Sequence, residues 1–341
     1  MKVPIRLDDN DVAGYLRDTG LVRSAEGLAV SPAGDGNINW VRRVAAADGR
    51  SWIVKQARAH LEKFPEYEAD PVRLLFEARY LEVARPCDTA GVLPEVLHFD
   101  AVNHVLVLQD IGDVPRMGET LAAGGDIDAE LVQLAAFLGR VHRATANDAS
   151  LPSRFANDQM RRLHGDHIFH LPFRPNDFPL EPPLRRRAEE IWSRGDLVAM
   201  IDRQYRRYLE PRGGLVHADV QSSNVLISDA GPVLLDGEIA HVGDPAFDIA
   251  TLLAHVFLPA IGRSEIERAR LSARRIWDGY CEAIAEPLTD LAAVEAYSAI
   301  EMMRRTIGAA RVEPMRDTGA AVACLDMAQA VLDGESHLIG R

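Results

Sequence analysis

The sequence predicts an α+β protein in which a small antiparallel sheet precedes a larger, mostly helical part. Strand patterns with turn signals dominate the first hundred or so residues, and helical periodicity dominates from about residue 120. A hairpin pattern interrupts the helices, because the short apolar runs VLIS and PVLL flank an Asp229-Ala230-Gly231 turn. We therefore expect two lobes, residues 1–110 and 111–341.

The strands of the first lobe follow one another with short turns. A glycine-rich turn at 34–36 precedes the run NINWVRRV, and a turn at 48–49 precedes SWIVKQA, which contains Lys55. The spacing predicts a helix over 71–84, and the runs VLPEVLHFD and HVLVLQDIG predict two more strands. This order is typical of an antiparallel meander with Lys55 on a third strand.

The second lobe contains three long segments with helical periodicity: DAELVQLAAFLGRVHRAT, SEIERARLSARRIWDGYCEAI and AVEAYSAIEMMRRTIGAARV. A further apolar stretch, residues 249–261, is too short to span a bilayer and contains His255 and Pro259. We expect it to be a buried helix. The hairpin leads to Asp236 and Glu238 as the polar residues at the end of its second strand.

Composition and charge exclude several classes of function. The 341 residues are 47% hydrophobic and 26% charged, as in an ordinary soluble globular protein. The 51 acidic residues exceed the 38 lysines and arginines, and the net charge of −13 argues against nucleic-acid and membrane-surface partners, which favour basic proteins. Three widely spaced cysteines and a start without an apolar signal core favour the cytoplasm.

The polar residues around the predicted hairpin suit phosphoryl transfer. This reaction needs a carboxylate that orients and deprotonates the accepting hydroxyl, together with oxygen ligands for Mg²⁺. Asp219 follows a short apolar run on a loop, and Asn224 and Asp236 could both reach one metal ion. His217 would brace the loop by hydrogen bonds. The spacing predicts a catalytic carboxylate and a magnesium site in this region.

The first lobe supplies candidates for binding nucleotide phosphates. Gly34 and Gly36 allow the backbone to approach phosphates closely, since glycine has no side chain. Lys55 can contact phosphates as a point charge. Glu77, on the predicted helix, could hold Lys55 through an ion pair.

These motifs, in this order, resemble the aminoglycoside phosphotransferase and choline kinase branch of the protein-kinase-like superfamily. They are the loop GDGN, the lysine strand IVKQA, the glutamate helix LFEARYLE, the segment HADVQSSN and the segment LLDGEIAHVGDPAFDIA. Within that branch the sequence looks most like the S-methyl-5-thioribose kinases, through GDGNIN, VKQA, DGE, AFD and MRRTIGAARV. The resemblance implies a bilobal protein-kinase-like fold, with nucleotide bound in the first lobe and catalysis and substrate binding in the second.

The resemblance also implies roles for individual residues. Asp219 would be the catalytic base with His217 beside it, and Arg304 and Arg305 would face the substrate or the transferred phosphoryl group. ATP would be the phosphoryl donor, with Mg²⁺ held by Asn224, Asp236 and Glu238. The residues that would bind the nucleotide, including the hinge that holds adenine, are Gly34, Asp35, Gly36, Asn37, Lys55, Glu77, Gln109, Asp110 and Ile111.

The identity of the acceptor stays open at the level of the sequence. The thioribose kinases typically have HGDLHTGS where this chain has HADVQSSN, and DPE where it has DGE. A small sugar, 5-methylthioribose or a similar pentose, is the expected acceptor. The alternatives are an aminoglycoside, an amino sugar, choline or homoserine, or a nucleotide-binding module without catalysis. The resemblance also suggests a homodimer.

Three histidines, His164, His167 and His170, recur every third residue in RLHGDHIFHLPF. Steps of three drift around a helix, and no cysteine or carboxylate completes a ligand set. The segment is therefore interpreted as a lid or substrate-pocket loop rather than a metal site.

Overall fold

The structure is a computed structural model that describes residues 5–34, 39–60, 69–285 and 288–340. The chain forms two compact units. The first consists of residues 1–85, 93–114 and 236–238, and the second of residues 86–92, 115–235 and 239–341. The residues Asp236–Glu238 therefore pack with the strand-rich first unit although they follow the hairpin of the second. The predicted roles of the two lobes stay predictions.

The first unit contains one five-stranded antiparallel sheet in the order β1-β2-β3-β5-β4. The predicted strands are confirmed, but the predicted meander is wrong in one respect, because β3 pairs with β5 rather than with β4. Lys55 lies on β3, paired with Val41 on one side and Leu106 on the other. The elements of this unit are α1 (Val12–Asp18), β1 (Ala29–Pro32), β2 (Trp40–Ala45), β3 (Ser51–Gln56), α2 (Arg73–Ala84), β4 (Val96–Asp100) and β5 (Val105–Gln109). A 3₁₀ turn (Arg85–Cys87) follows α2 and runs from the last residue of this segment into the second unit.

The alternation of side chains along β3 separates its core residues from its polar residue. Trp52 and Val54 join the apolar cluster that also contains Val12 and Leu16 of α1. Because successive side chains on a strand point to opposite faces, Lys55 lies on the other face of the sheet. The helix α1 was not predicted from the sequence.

The helix α2 forms as predicted but begins at Arg73 rather than at Pro71. The side chain of Asp70 accepts a hydrogen bond from the backbone N–H of Val72 at 2.9 Å, and a turn over 70–73 precedes the helix. Arg73 and Glu77 are both buried, and their spacing of four residues places them on the same face of α2.

The second unit is mostly helical, and its longest apolar segment is a buried helix, as predicted. None of the helices in the described ranges is both long enough and apolar enough to cross a membrane. The elements of this unit are α3 (Met117–Ala122), α4 (Asp128–Thr145), α5 (Leu151–Arg154), α6 (Asp158–Gly165), a π-helical turn (Asp166–His170), a 3₁₀ turn (Leu171–Phe173), α7 (Pro182–Ser193), α8 (Gly195–Leu209), β6 (Gly214–Val216), β7 (Val225–Ser228), β8 (Gly231–Leu234), β9 (His241–Gly243), α9 (Ala246–Gly262), α10 (Ile266–Ile284), α11 (Leu291–Ile307), a 3₁₀ turn (Glu313–Arg316) and α12 (Thr318–Leu332).

Two small sheets carry the polar loops of the second unit. The predicted hairpin forms from β7 and β8, with Val225 opposite Leu234 and Ser228 opposite Gly231. The strand β6 pairs with β9, and the loop after β6 leads to Asp219. The interpretation that the second hairpin strand extends to Asp236 is wrong in one respect, because β8 ends at Leu234.

Candidate active site

In the first unit, Lys55 lies between two carboxylates. Its Nζ atom is 2.6 Å from Oε2 of Glu77 and also forms an ion pair with Oδ1 of Asp236. Burial by itself lowers the pKa of Lys55, but the charges of Asp236 and Glu77 outweigh burial and raise this pKa above its ordinary value. The ammonium group is therefore charged at neutral pH. The predicted contact between Lys55 and Glu77 is present in the structure.

Three carboxylates converge beside this ammonium group. Ligand oxygens of Glu77, Asp236 and Glu238 all lie within 4.8 Å of one another. Burial raises the pKa of Glu77 to about 7, and burial also raises the pKa of Glu238. Because both pKa values are raised, burial destabilises the charged form of each carboxylate. A divalent cation would offset this cost, and oxygen ligands are the ones that Mg²⁺ prefers.

Glu238 is held in place by two residues to which the sequence assigned no role. Nδ2 of Asn39 donates a hydrogen bond to Oε2 of Glu238 at 2.7 Å, and Nε of Arg73 lies 3.4 Å from the same oxygen. Nη2 of Arg73 donates to Oδ1 of Asn39 at 2.8 Å. The i,i+4 spacing of Arg73 and Glu77 on α2 was the available signal, because it places a cation on the face that carries the predicted glutamate.

The backbone around Asp236 is unusual. Asp236 has a φ of 69°, in the left-handed region that residues other than glycine seldom adopt. Its side chain is 34% exposed, whereas that of Glu77 is 3% exposed. At the next residue, a Cβ atom on Gly237 would lie 3.2 Å from the ring of Tyr80, so a side chain at this position would press against that ring.

The predicted hinge lies at the end of β5. The backbone N–H of Gln109 donates to the carbonyl of Glu95 at 2.9 Å, so this residue still belongs to the sheet. The carboxylate of Asp110 accepts from the N–H of Gly112 at 3.0 Å and forms an ion pair with Nε of Arg43 at 2.7 Å. The Asp110 side chain thus holds the backbone at Gly112, and Ile111 lies between these two residues. Adenine binding by 109–111 stays a prediction.

Part of the predicted phosphate loop falls outside the residues that the structure describes. Gly34 has a φ of 67°, which favours glycine. Asp35, Gly36 and Asn37 lie outside the described residues. Their role in phosphate binding stays a prediction.

In the second unit, Asp219 and Asn224 are in direct contact. Nδ2 of Asn224 donates to Oδ2 of Asp219 at 2.7 Å and to its backbone carbonyl at 3.1 Å. Nδ1 of His217 lies 3.3 Å from the backbone N–H of Asp219. His217 therefore braces the loop through the backbone of Asp219, in the way that the sequence suggested. The side-chain amide of Asn224 orients the carboxylate of Asp219 by donating to one of its oxygens.

Asp248, the buried carboxylate of the AFD motif, anchors this loop, although the sequence assigned it no role. Its two oxygens accept hydrogen bonds from the backbone N–H groups of His217 and Ala218 at 2.8 and 2.7 Å. Nε2 of His142 lies 3.1 Å from Oδ2 of the same carboxylate. Although burial alone raises the pKa of Asp248, the hydrogen bond and charge of His142 hold it below its ordinary value. Ala218 has a φ of 66°, which is strained for a residue other than glycine, and the hydrogen bonds to Asp248 offset this strain.

The twin arginines are buried on α11 around one glutamate. Nε of Arg304 donates to Oε2 of Glu301 at 2.7 Å, and Nε of Arg305 donates to Oε1 at 2.8 Å. Nη2 of Arg305 also donates to Oε1 of Gln221 at 2.6 Å. Burial alone would raise the pKa of Glu301, but the two guanidinium groups hold it well below its ordinary value. The predicted arginines thus lie beside the loop of Asp219.

The segment with three histidines is helical, and the interpretation as a loop is wrong. α6 ends at Gly165, and a π-helical turn covers Asp166–His170. Nε2 of His164 lies 3.9 Å from Oδ1 of Asp219, and Nδ1 of His164 lies 3.4 Å from the hydroxyl of Tyr208. Burial, together with the charges of Arg304 and Arg305, lowers the pKa of His164 well below its ordinary value. A neutral imidazole therefore faces Asp219.

The five-stranded sheet with its buried lysine–glutamate pair and the helical unit define an α+β protein with the protein-kinase-like fold. Among solved structures, the choline kinase from Cryptosporidium parvum Iowa II aligns with a TM-score of 0.59 and 16% identity over 96% of each chain. An ethanolamine kinase from Plasmodium vivax aligns with a TM-score of 0.57 and 11% identity over 94% of this chain and 88% of that chain.

The family follows from the sequence match. The model of the phosphotransferase enzyme family matches residues 29–285, and the chain belongs to this family. A methylthioribose kinase from Bacillus cereus (strain AH820) is 24% identical over 87% of this chain and 83% of that protein. The prediction of an ATP-dependent phosphotransferase that acts on a hydroxyl group is confirmed.

Proposed function

We propose that this phosphotransferase phosphorylates a small sugar, 5-methylthioribose or a similar pentose, with ATP as donor. The observation that carries the proposal is the pair Arg304 and Arg305 near the loop of Asp219, of which Arg305 is joined to the loop through Gln221. Positive charge in this place disfavours a cationic acceptor such as choline or an aminoglycoside. The similarity to a methylthioribose kinase over 87% of the chain supports the same acceptor class.

Asp219 accepts the proton of the acceptor hydroxyl and orients that hydroxyl toward the γ-phosphate. General-base assistance of this kind is worth about 10² to 10⁴ in rate. The amide of Asn224 holds Oδ2 of Asp219, and Asp248 holds the backbone before it. The carboxylate is thus oriented before the substrate binds, which lowers the reorganisation needed during transfer.

Lys55 holds the nucleotide phosphates by its charge. Because Glu77 also binds Nζ of Lys55, the ammonium group keeps its orientation when phosphates replace Asp236 as its partner. The neutral imidazole of His164 would contact the acceptor beside Asp219. The predicted hinge, Gln109 to Ile111, would bind adenine by its backbone.

The acidic cluster fits Mg²⁺. Asp236, the most exposed of the three carboxylates, and Glu238, held by Asn39, would bind the ion. The role of Asn224 as a metal ligand stays a prediction from the sequence. When bound, Mg²⁺ neutralises negative charge on the phosphates and so favours attack by the hydroxyl. Glu77 keeps its contact with Lys55.

A coupled assay of ADP release tests the acceptor. The panel contains 5-methylthioribose, ribose, choline, ethanolamine, homoserine and kanamycin, each with ATP and Mg²⁺. We expect the largest kcat/KM with 5-methylthioribose or another neutral pentose. Preferential turnover of choline, ethanolamine or kanamycin would contradict the proposal. The cytoplasmic location and the homodimer stay predictions, and light scattering after gel filtration measures the oligomeric state.

A further inference from the structure

The two neighbouring arginines of α11 make different contacts. Arg305 uses all three guanidinium nitrogens, since Nε donates to Glu301 at 2.8 Å, Nη2 to Gln221 at 2.6 Å and Nη1 to the carbonyl of Ala310 at 3.5 Å. Arg304 donates to Glu301 through Nε alone, at 2.7 Å. Over the described part of the chain, its two Nη groups have no hydrogen-bond partner, although the side chain is only 7% exposed.

Gln221 connects Arg305 to Asp219. Its Oε1 accepts from Arg305, and its Nε2 donates to Oδ2 of Asp219 at 3.0 Å. Because the guanidinium group can only donate, it fixes which end of the Gln221 amide points toward the carboxylate. Oδ2 of Asp219 therefore accepts two amide N–H groups, from Gln221 and Asn224. This pair of donors selects one orientation of the carboxylate.

A parallel connection starts at the next residue of the loop. Oγ of Ser222 lies 3.0 Å from Nδ1 of His255, and Nε2 of His255 lies 3.4 Å from Oε1 of Glu301. Glu301 thus contacts both arginines and the histidine that holds Ser222. These contacts keep Arg305 directed toward the loop, because its Nε is fixed by the same carboxylate.

We propose that the two arginines have different tasks: Arg305 is a positioning residue that orients Asp219 through Gln221, and Arg304 presents its Nη groups to the transferring phosphoryl group. The inference rests on the proposed function, since it assigns the orientation of the proposed catalytic carboxylate, Asp219, to Gln221 and Arg305. A buried guanidinium group whose Nε is held by Glu301 and whose Nη groups remain available suits an anion, which it can contact with two parallel N–H groups.

A mutant cycle tests this division. The single variants are Gln221→Met, Arg305→Met and Arg304→Met, and the doubles combine Gln221→Met with each arginine variant. Gln221→Met removes both hydrogen bonds at similar side-chain length, and Ser223→Ala on the exposed part of the same loop is the control. The kcat and KM for ATP and for 5-methylthioribose are measured for each protein, and urea unfolding checks the fold.

We expect Gln221→Met to lower kcat by about 10- to 100-fold, the loss of a hydrogen bond to a charged group, with both KM values changed less than about threefold. The Gln221/Arg305 double variant should match Arg305→Met within about threefold, whereas the losses of Gln221→Met and Arg304→Met should multiply. Gln221→His, which keeps one donor and one acceptor, should restore most of kcat.

Multiplying losses for Gln221 and Arg305, or an unchanged kcat in Gln221→Met, would overturn the inference. The same cycle is measured on the slow release of ADP without acceptor, in which water replaces the sugar hydroxyl. If 5-methylthioribose is not phosphorylated but the water reaction shows the coupling of Gln221 with Arg305, the proposed acceptor is wrong and the inference stands. If neither reaction shows the coupling, the inference fails.

Discussion

Nζ of Lys55 lies 2.6 Å from Oε2 of Glu77, and both side chains are buried, with exposed fractions of 8% and 3%. Removing Glu77 leaves Lys55 with Asp236 as its remaining ion-pair partner. We expect Glu77→Gln to lower the free energy of unfolding by ~2 kcal/mol in urea, the loss of one hydrogen bond to a charged group. Asp48→Asn removes an exposed partner of Arg50 and should have no measurable effect. Equal stability of the two variants would refute a structural role for the buried pair.

Asp219 is expected to contribute to turnover rather than to nucleotide binding. Asp219→Asn keeps the size of the side chain but cannot accept a proton, so kcat should fall by at least about a hundredfold. The affinity for an ATP analogue, measured by thermal shift, should change only by about a few-fold. Asp229→Asn, at the exposed tip of the β7–β8 hairpin, is the control. Near-normal turnover in Asp219→Asn would remove this residue from the role of base.

Asp236 is expected to control the response to Mg²⁺. We predict that Mg²⁺ with a non-hydrolysable ATP analogue raises the melting temperature of the wild type. In Asp236→Asn, the increase in melting temperature that depends on Mg²⁺ should be lost. Chelation of the ion by EDTA should bring the wild type to the level of the variant. Asp113→Asn, an exposed change in the same unit, should respond like the wild type. A full Mg²⁺ response in Asp236→Asn would exclude this carboxylate as a ligand.

His255 is expected to make the folded state sensitive to acid. Burial lowers its pKa from 6.5 to about 4, and Arg305 and Arg304 add to this effect while Glu301 opposes it. At pH values between about 4 and 6.5, the imidazole of His255 binds a proton in the unfolded chain but not in the folded chain. The free energy of unfolding should therefore fall as the pH decreases from about 6.5 to about 4, by at most ~3 kcal/mol for this group.

The variant His255→Gln should make this slope shallower by up to ~1.4 kcal/mol per pH unit, as measured by urea unfolding at several pH values. Part of the slope should remain, because burial also lowers the pKa of His241 to about 4. His170→Asn, on an exposed position, is the control. An identical slope in His255→Gln and in the wild type would contradict the prediction.

Asp248 is expected to stabilise the loop of Asp219. Its carboxylate is completely buried, accepts hydrogen bonds from two backbone N–H groups, and lies beside the imidazole of His142. Asp248→Ala leaves these donors buried without an acceptor, which should cost ~3 kcal/mol or more in urea unfolding and lower kcat as well. Asp278→Ala, exposed on α10, should leave both quantities unchanged. A stable and active Asp248→Ala protein would show that the loop is held by other contacts.

Much of the candidate site was accessible from local signals. The lysine strand, the glutamate on α2 and the polar loop after β6 were each predicted from patterns within a few residues, and Lys55 is one of only three lysines in the chain. The partners of these residues were not accessible in this way. Asn39 is 199 positions from Glu238, and His142 is 106 positions from Asp248, so no periodicity relates them.

Local patterns predicted the strands β2 to β5, the β7–β8 hairpin, five of the helices (α2, α4, α9, α10 and α11) and the types of side chain available for phosphoryl transfer, because periodicity and turn chemistry act over short stretches of chain. The folded structure was needed to show that Glu238 binds Asn39, that Asp248 anchors the backbone before Asp219, and that Arg305 rather than Arg304 contacts Gln221. Such contacts depend on how distant elements pack, and burial then sets which polar groups must bind one another.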